Sequence, residues 1–226
     1  MLHPPPPQKI RQLFTRGQPL AIEKGGVILG NSASPNGVYY IDTGYVKAYS
    51  ISDDGDEYLH LIYGYGELFP LIWAYLGVIT ESLFYEAMTD CTLWRISKDV
   101  FNNFVQHNIE MSYALSLHLA HQFRIFSDRV DNLEYKKASQ RIAYRLLFLA
   151  SRFGIKQNGG IAIGAPITHD DFAHSINLAR ESVSREFERL AAHKIIRTTG
   201  HQLVIINVPA LLDSLSRPVG YTSWHL

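Results

Sequence analysis

The feature that most constrains this chain is a change of period near Lys98. From Lys98 to Tyr135 there is neither proline nor glycine, and apolar residues recur at helical spacing. Before that point, from about residue 20 to 98, short alternating runs are separated by turn residues. "GVYYIDTGYVKAYSI" (37–51) alternates and breaks at Gly44, "SDDGDE" (52–57) is a turn, and "YLHLIYGYG" (58–66) resumes the alternation. "MTDCTLWRIS" (88–97) reads as a later strand of the same body. Strands at this spacing predict an antiparallel barrel or sandwich, closed by a long helix that starts at Ser97.

Within the long helix Met111, Leu115, Leu119, Gln122, Phe126, Arg129 and Leu133 follow intervals of 4, 4, 3, 4, 3 and 4, close to a coiled-coil seam. One reading is a helix packed along the strand domain. The other is a dimer helix with Met111, Leu115, Leu119, Gln122, Phe126 and Leu133 at the interface, its polar members fixing register. A helix this long and apolar on two sides calls for a second partner, which favours the dimer.

After it the pattern becomes helix, helix, helix, hairpin. "KASQRIAYRLLFLASRFG" (137–154) predicts a helix, "IKQNGG" (155–160) a loop, and "PITHDDFAHSI" (166–176) a helix with Thr168 as N-cap. Asn177-Leu178 lead into "NLARESVSREFERLAAHKII" (177–196), and "KIIRTTGHQLVIINV" (194–208) predicts a hairpin around "TTGH". Two short helices, a tight turn and a hairpin make a winged helix-turn-helix, whose second helix enters the major groove. On that helix Arg180, Glu181, Ser184 and Arg185 share an arc of roughly 140°, opposite Val183, Phe187 and Leu190. Arginine chelates guanine O6/N7 and glutamate accepts from cytosine N4, so these four are the expected base readers. Thr168, His169, Ser182, Thr199 and His201 are expected at phosphates. The competing reading is a solvated helix face carrying an internal Glu181–Arg185 pair.

Charge separates the halves. Residues 1–137 carry 11 Lys+Arg against 15 Asp+Glu, net −4, and residues 138–226 carry 10 against 6, net +4. The overall make-up, 46% hydrophobic and 19% charged over 226 residues, is that of an ordinary globular chain and excludes a disordered one. The longest apolar run, "LIWAYLGVI" (71–79), is too short to span a bilayer, so no membrane association is expected. "MLHPPPPQKIRQ" lacks the basic and apolar regions of a secretory signal and suggests a short polyproline arm; a cytoplasmic location is the expectation. Cys91 is alone, which excludes a disulfide framework or an all-cysteine cluster within one chain. No P-loop, GxSxG, HExxH or GxGxxG string appears, so an enzyme is not expected, and no metal site is read.

"ITHDDFAHSINLARESVSREFERLAAHKII" resembles the helix-turn-helix of the Crp/Fnr family of bacterial transcription regulators, with its Arg-Glu-x-x-x-Arg core. "SDRVDNLEYKKASQRIAYRLL" (127–147) resembles that family's dimer helix and hinge, while "YYIDTGYVKAY" and "YGYGELF" resemble its cyclic-nucleotide-binding-type β-roll. The resemblance covers nearly the whole chain. It implies an α+β protein: an N-terminal antiparallel β-roll (1–98), a long dimerisation helix (99–137) and a C-terminal winged helix-turn-helix (138–226). It further implies a homodimeric regulator of double-stranded DNA with RNA polymerase as a partner, read through Arg180, Glu181 and Arg185.

The resemblance also tests the ligand. Where nucleotide-binding members carry Gly-Glu, an ungapped register places Pro70-Leu71, and a slipped one places Gly66-Glu67. Where they carry Arg-Ser or Arg-Thr, this chain has Glu81-Ser82; the Thr-Ser pair on the dimer helix is Phe126-Ser127. In neither register does a cation appear, because no Lys or Arg lies between Lys47 and Arg95. A carboxylate in place of that arginine repels a cyclic phosphate. No cyclic-nucleotide binding is therefore expected. An effector pocket, if formed, is apolar, lined by Leu68, Phe69, Leu71, Ile72, Trp73, Tyr75, Leu76, Phe84 and Tyr85 beside Glu81, Ser82, Phe126 and Ser127. No cofactor is expected; haem, with His60, Cys91, His118 or His121 as axial ligand, is the less favoured option. The alternative function is a ligand- or haem-sensing module whose helix-turn-helix serves protein contact. The tail 211–226 suggests a terminal helix with no assigned role.

Overall fold

A computed structural model describes residues 8–30, 34–78, 83–157, 159–199 and 202–215. The chain divides into two compact units, Pro5–Phe123 and Arg124–Leu226.

The first unit begins with α1 (Gln8–Phe14), a helix at a point where the sequence suggests only the end of a polyproline arm. Eight strands follow: β1 (Gln18–Ile22), β2 (Val27–Leu29), β3 (Val38–Thr43), β4 (Val46–Ile51), β5 (Glu57–Tyr63), β6 (Leu68–Phe69), β7 (Leu83–Ala87) and β8 (Cys91–Ile96). They form two antiparallel four-stranded sheets, ordered β1-β8-β3-β6 and β2-β7-β4-β5. The break expected at Gly44 is the β3–β4 turn, where φ is +91° and a Cβ would sit 2.6 Å from Asp90 O and Cys91 Sγ, so only glycine fits. Between the sheets lies an aromatic stack. Phe69 packs parallel to Tyr39 at 5.2 Å and to Tyr85 at 4.8 Å, and Tyr63 closes on it at 5.6 Å.

Two further helices, α2 (Leu71–Leu76) and α3 (Lys98–Gln106), share a second core with α1, where Phe14, Tyr40, Leu68, Ala74 and Phe101 are all buried. Ser97 caps α3, its hydroxyl accepting from Val100 N–H at 3.3 Å, as expected. The single long helix expected from 98 is two. The chain breaks at His107-Asn108, and Asn108 Oδ1 accepts from Met111 N–H at 3.1 Å to start α4 (Ile109–Glu134). Asparagine supplies this start without any glycine or proline, which is why composition does not reveal the break.

Met111 and Leu115 correct the expected interface. Both are 1% exposed and belong to the core of their own chain with Phe101 and Val105. The seam read from the sequence follows the face of α4 whose first members dock on this core.

In the second unit α5 (Ala138–Phe153) is followed by β9 (Gly154–Gln157) and β10 (Gly160–Ile163). The stretch 155–160, expected as a loop, is therefore mostly strand and turn. Then come α6 (His169–Ser175), α7 (Arg180–Ala192), β11 (Ile196–Thr199), β12 (Gln202–Ile205) and α8 (Val208–Asp213). The strands make one sheet ordered β11-β12-β10-β9. Eleven residues of α5, from Gln140 to Ser151, are buried, so α5 is the central strut of this unit.

Candidate nucleic-acid interface

The two helices at the candidate site are fixed by different means. α6 is closed at its start by a capping box: Thr168 Oγ1 accepts from Asp171 N–H at 3.0 Å, and Asp171 Oδ2 accepts from Thr168 N–H at 3.2 Å. The Thr168 hydroxyl also donates to Asp171 Oδ2 at 2.6 Å, so this expected phosphate contact is engaged within its own helix. The turn between the helices passes through Asn177 in the left-handed region (φ +52°), which asparagine tolerates better than most residues, and Leu178 N–H donates to Ala173 O at 3.1 Å.

α7 is anchored by Val183, Phe187 and Leu190, as its periodicity predicts. Phe187 meets Phe172 of α6 edge to face at 5.0 Å, and the His169 ring meets Phe187 in the same way at 5.0 Å. His169 Nδ1 also lies 2.9 Å from Ser184 Oγ. The expected phosphate contact His169 and the expected base reader Ser184 are thus partners across the α6–α7 junction. They set the angle of the second helix rather than standing free on its surface.

What remains outward is charged. Arg180, Glu181 and Arg185 are exposed on the first turn and a half of α7. Arg185 Nε donates to Glu181 O at 3.3 Å, and Arg180 Nε lies 3.5 Å from Asp170 Oδ1 with both side chains more than half exposed. A solvated pair of that kind holds the arginine loosely. Ala179 provides no side-chain cap for the first amides of α7. Further along, Glu186 and Arg189 pair through two bonds, at 2.9 and 2.6 Å, and drop out as readers. Ser182 is half-buried. Thr199 is exposed at the end of β11, which pairs Arg197 with Val204 and Thr199 with Gln202. Arg197, exposed on this wing, is a candidate that sequence reasoning misses. A cation inside a hairpin arm, two residues before its turn, is the available signal. His201 lies outside the described residues.

A family profile of the cyclic nucleotide-binding domain matches residues 19–108, and one of the Crp-like helix-turn-helix domain matches residues 140–214. The chain belongs to the Crp/Fnr family. A CRP-like cAMP-activated global transcriptional regulator of Mycobacterium tuberculosis (strain ATCC 25618 / H37Rv) is 25% identical over 200 residues, 88% of each protein. The cAMP-activated global transcriptional regulator CRP of Haemophilus influenzae is 26% identical over 169 residues, 74% of this chain and 75% of its own. The structure of FixK2 from Bradyrhizobium japonicum superposes with a TM-score of 0.75 at 22% identity, over 89% of this chain and 98% of that one. The expected fold class is thus the observed one: a cyclic-nucleotide-binding-type β-roll, a long helix and a winged helix-turn-helix. The protein is a DNA-binding transcription regulator of the Crp/Fnr type. Among the described residues no helix is long and apolar enough to cross a membrane.

On the effector side of a Crp/Fnr roll, the expected pocket residues do not form one set. Leu68 and Leu71 are buried in the core shared by α1, α2 and α3, and Phe69 is the centre of the aromatic stack. Trp73 packs against that same core, with Lys98 Nζ 5.1 Å from its ring. Ile72, Tyr75 and Leu76 face solvent. Phe126 and Ser127 lie on the second unit's part of α4. Glu81 and Ser82 fall outside the described residues, as does the tail from 216. Glu67, the slipped-register glutamate, is 1% exposed; its carboxylate accepts from Gly64 N–H at 2.7 Å and from Gln122 Nε2 of α4 at 3.1 Å. Gln122, expected at the dimer seam, is therefore bound to its own roll. The haem-ligand candidates sit on three elements, His60 on β5, Cys91 on β8, and His118 and His121 on α4. His60 Nε2 is 2.7 Å from Ser50 Oγ, the Cys91 thiol donates to Tyr45 O and Thr89 O, and His118 Nε2 is 3.5 Å from Gln122 Nε2. Burial pushes the Cys91 thiol above its ordinary value.

Proposed function

We propose that this regulator binds a two-fold DNA site as a homodimer and reads bases in the major groove with Arg180, Glu181 and Arg185. The observation that carries the reading is the first turn and a half of α7. Its apolar side is locked by Val183 and Phe187, its angle is set by His169, Ser184 and Phe172, and its two arginines and one carboxylate are left to solvent. A rigid helix presenting two guanidinium forks discriminates by about 1–3 kcal/mol per bidentate base contact. Arg197 and Thr199 on the wing, the half-buried Ser182, and the uncapped amides of Arg180 and Glu181 are assigned to phosphates.

The dimer seam is assigned to a different face of α4 from the one its sequence first suggests. Ile109, Tyr113, Ser116, Ala120, Phe123, Ser127 and Val130 are spaced 4, 3, 4, 3, 4 and 3, on the side turned away from Met111 and Leu115. Ile109, Tyr113, Phe123 and Val130 are 86%, 68%, 74% and 61% exposed in the single chain. Four large apolar residues at heptad spacing, with small residues between them for close approach, favour a second copy as the cover. RNA polymerase is retained as a partner on family grounds.

The Mycobacterium tuberculosis and Haemophilus influenzae relatives are cAMP-activated, but this roll is assigned no cyclic nucleotide. No Lys or Arg lies between Lys47 and Arg95, and the space between the sheets holds the Tyr39–Phe69–Tyr85 stack. The reading calls for no haem. Selection of bound duplexes from a random DNA pool tests it, run with and without cyclic AMP. The expected product is an inverted repeat with half-sites about one helical turn apart, independent of the nucleotide. Enrichment that requires cyclic AMP overturns the roll assignment, and no enrichment in either condition favours the protein-contact alternative.

A further inference from the structure

Arg145, on α5, is 6% exposed, and its Nε has no hydrogen-bond partner. The guanidinium lies 5.1 Å over the Phe148 ring. Burial, with further repulsion from Arg129 and Arg152, pushes it down to about 9, so it still carries its charge at neutral pH. A buried charge is ordinarily paired, because its desolvation is repaid only by a counter-charge and hydrogen bonds. Arg145 has neither from the described residues of its own chain.

Beside it is a cavity lined by Arg145, Arg129, Asp128, Asn132, Tyr144 and Ser175, all within the second unit. Its enclosed part has room for about one water-sized group. Asp128 does not neutralise Arg145: its carboxylate accepts from the Tyr144 hydroxyl at 3.4 Å, and the cation acting on it is Arg124. Asn132 uses its amide N–H on Arg141 O at 3.0 Å, and its Oδ1 is a second buried polar atom without a partner. The cavity wall therefore holds an uncompensated guanidinium, while the Asn132 oxygen, an acceptor, takes no part in holding an anion.

We infer that this cavity is an anion site, in which Arg145 holds the head of a small oxyanion, formate-sized or the carboxylate end of a larger group. A ligand with one anionic oxygen inserted beside Arg145 supplies the missing acceptor, and the small space rejects bulky anions. The site joins the C-terminal part of α4, α5 and the end of α6, and α6 leads into α7 through the Asn177 turn. Its occupancy holds α6 in the seat from which α7 is aimed. The inference rests on the cavity and stands whether or not α7 reads DNA.

The test uses the full chain in a zwitterionic buffer with methanesulfonate as the bulk anion. Thermal unfolding is followed at two protein concentrations about a hundredfold apart, with sodium formate or inorganic phosphate added to a few millimolar at constant ionic strength. Formate is expected to raise Tm saturably, by about 3–6 °C at ten times its dissociation constant. Phosphate, whose tetrahedral head is bulkier than a planar carboxylate, is expected to give less. Arg145→Met removes the charge with little loss of volume and is expected to abolish the response. Arg145→Lys keeps the charge and is expected to retain a weaker response, which covers the case in which the methionine variant does not fold. A rise with protein concentration alone, absent in Arg145→Met and kept in Arg145→Lys, identifies the carboxylate as one from a second copy. A wild-type Tm unmoved by formate together with a concentration dependence that Arg145→Met keeps, or a formate response equal in the substituted chains, overturns the site.

Discussion

Phe123 and Leu115 differ sharply in exposure along α4, and substituting each by alanine separates the two jobs of that helix. Phe123 is 74% exposed in the single chain, whereas Leu115 is 1% exposed in its own core. A phenylalanine buries about 150–250 Å², so covering the exposed part in a dimer removes about 150 Å² from water, of which alanine keeps roughly a third. The loss is about 100 Å² per protomer and about 200 Å² per dimer, or about 5 kcal/mol at about 25 cal/mol per Å². That raises the dimer dissociation constant by about three to four orders of magnitude. Leu115→Ala instead leaves a cavity among Phe101, Val105 and Met111 and costs about 2–5 kcal/mol of stability in the first unit. Sedimentation equilibrium with denaturant unfolding on each variant reads both quantities. F123A is expected to give folded monomers, and L115A a destabilised chain that still dimerises when folded. The reasoning is refuted if L115A dissociates without losing stability, or if F123A leaves the dimer intact.

Three further outcomes follow from particular contacts. Thr168→Ala removes the capping box of α6 and is expected to lower the stability of the second unit by about 1 kcal/mol in urea unfolding. Arg197→Ala is expected to weaken binding about equally on specific and random duplexes and to reduce the salt slope of log K by about 1, as removal of one phosphate contact does; an effect confined to one base position would assign it to base reading instead. Asp128 is held above its ordinary value of 3.8 mainly by burial, so the native state binds its proton more tightly than the unfolded chain does. The stability this gives is present at low pH and is lost as pH rises through the raised native value. Asp128→Asn, which keeps an acceptor for Tyr144, is therefore expected to gain on wild type between about pH 3 and pH 7; a constant difference across that range would contradict the assignment.

The architecture is legible in the sequence wherever one physical signal dominates. The alternation broken at Gly44, the Ser97 cap, the Thr168 cap and the Val183-Phe187-Leu190 face each depend on local chemistry and appear where expected. α4 is harder because it has two apolar stripes, and spacing alone does not say which faces its own core. Burial of Met111 and Leu115 decides that. At the candidate site the charges of Arg180, Glu181 and Arg185 are legible, while the roles of His169, Ser184 and Thr168 are not. A polar residue on a helix face looks the same in sequence whether it meets DNA or its neighbour, and here those three bond to each other's helices or to their own cap. Arg145 is hidden inside a helix pattern that tolerates arginine at any exposed position, and only its burial marks it out.

The most direct test of base reading by α7 is a comparison of operator preference between wild type and the Arg180→Ala, Arg185→Ala double variant. Fluorescence anisotropy on the selected operator and a scrambled duplex of equal length gives the ratio of the two dissociation constants, with the dimer verified by sedimentation. The double variant deprives each half-site of two bidentate arginine–base pairs, at about 1–3 kcal/mol apiece, which removes most of that ratio. The expected result is a dimeric variant that binds both duplexes with nearly equal, salt-dependent affinity. A folded, dimeric double variant that keeps the wild-type preference would contradict the account.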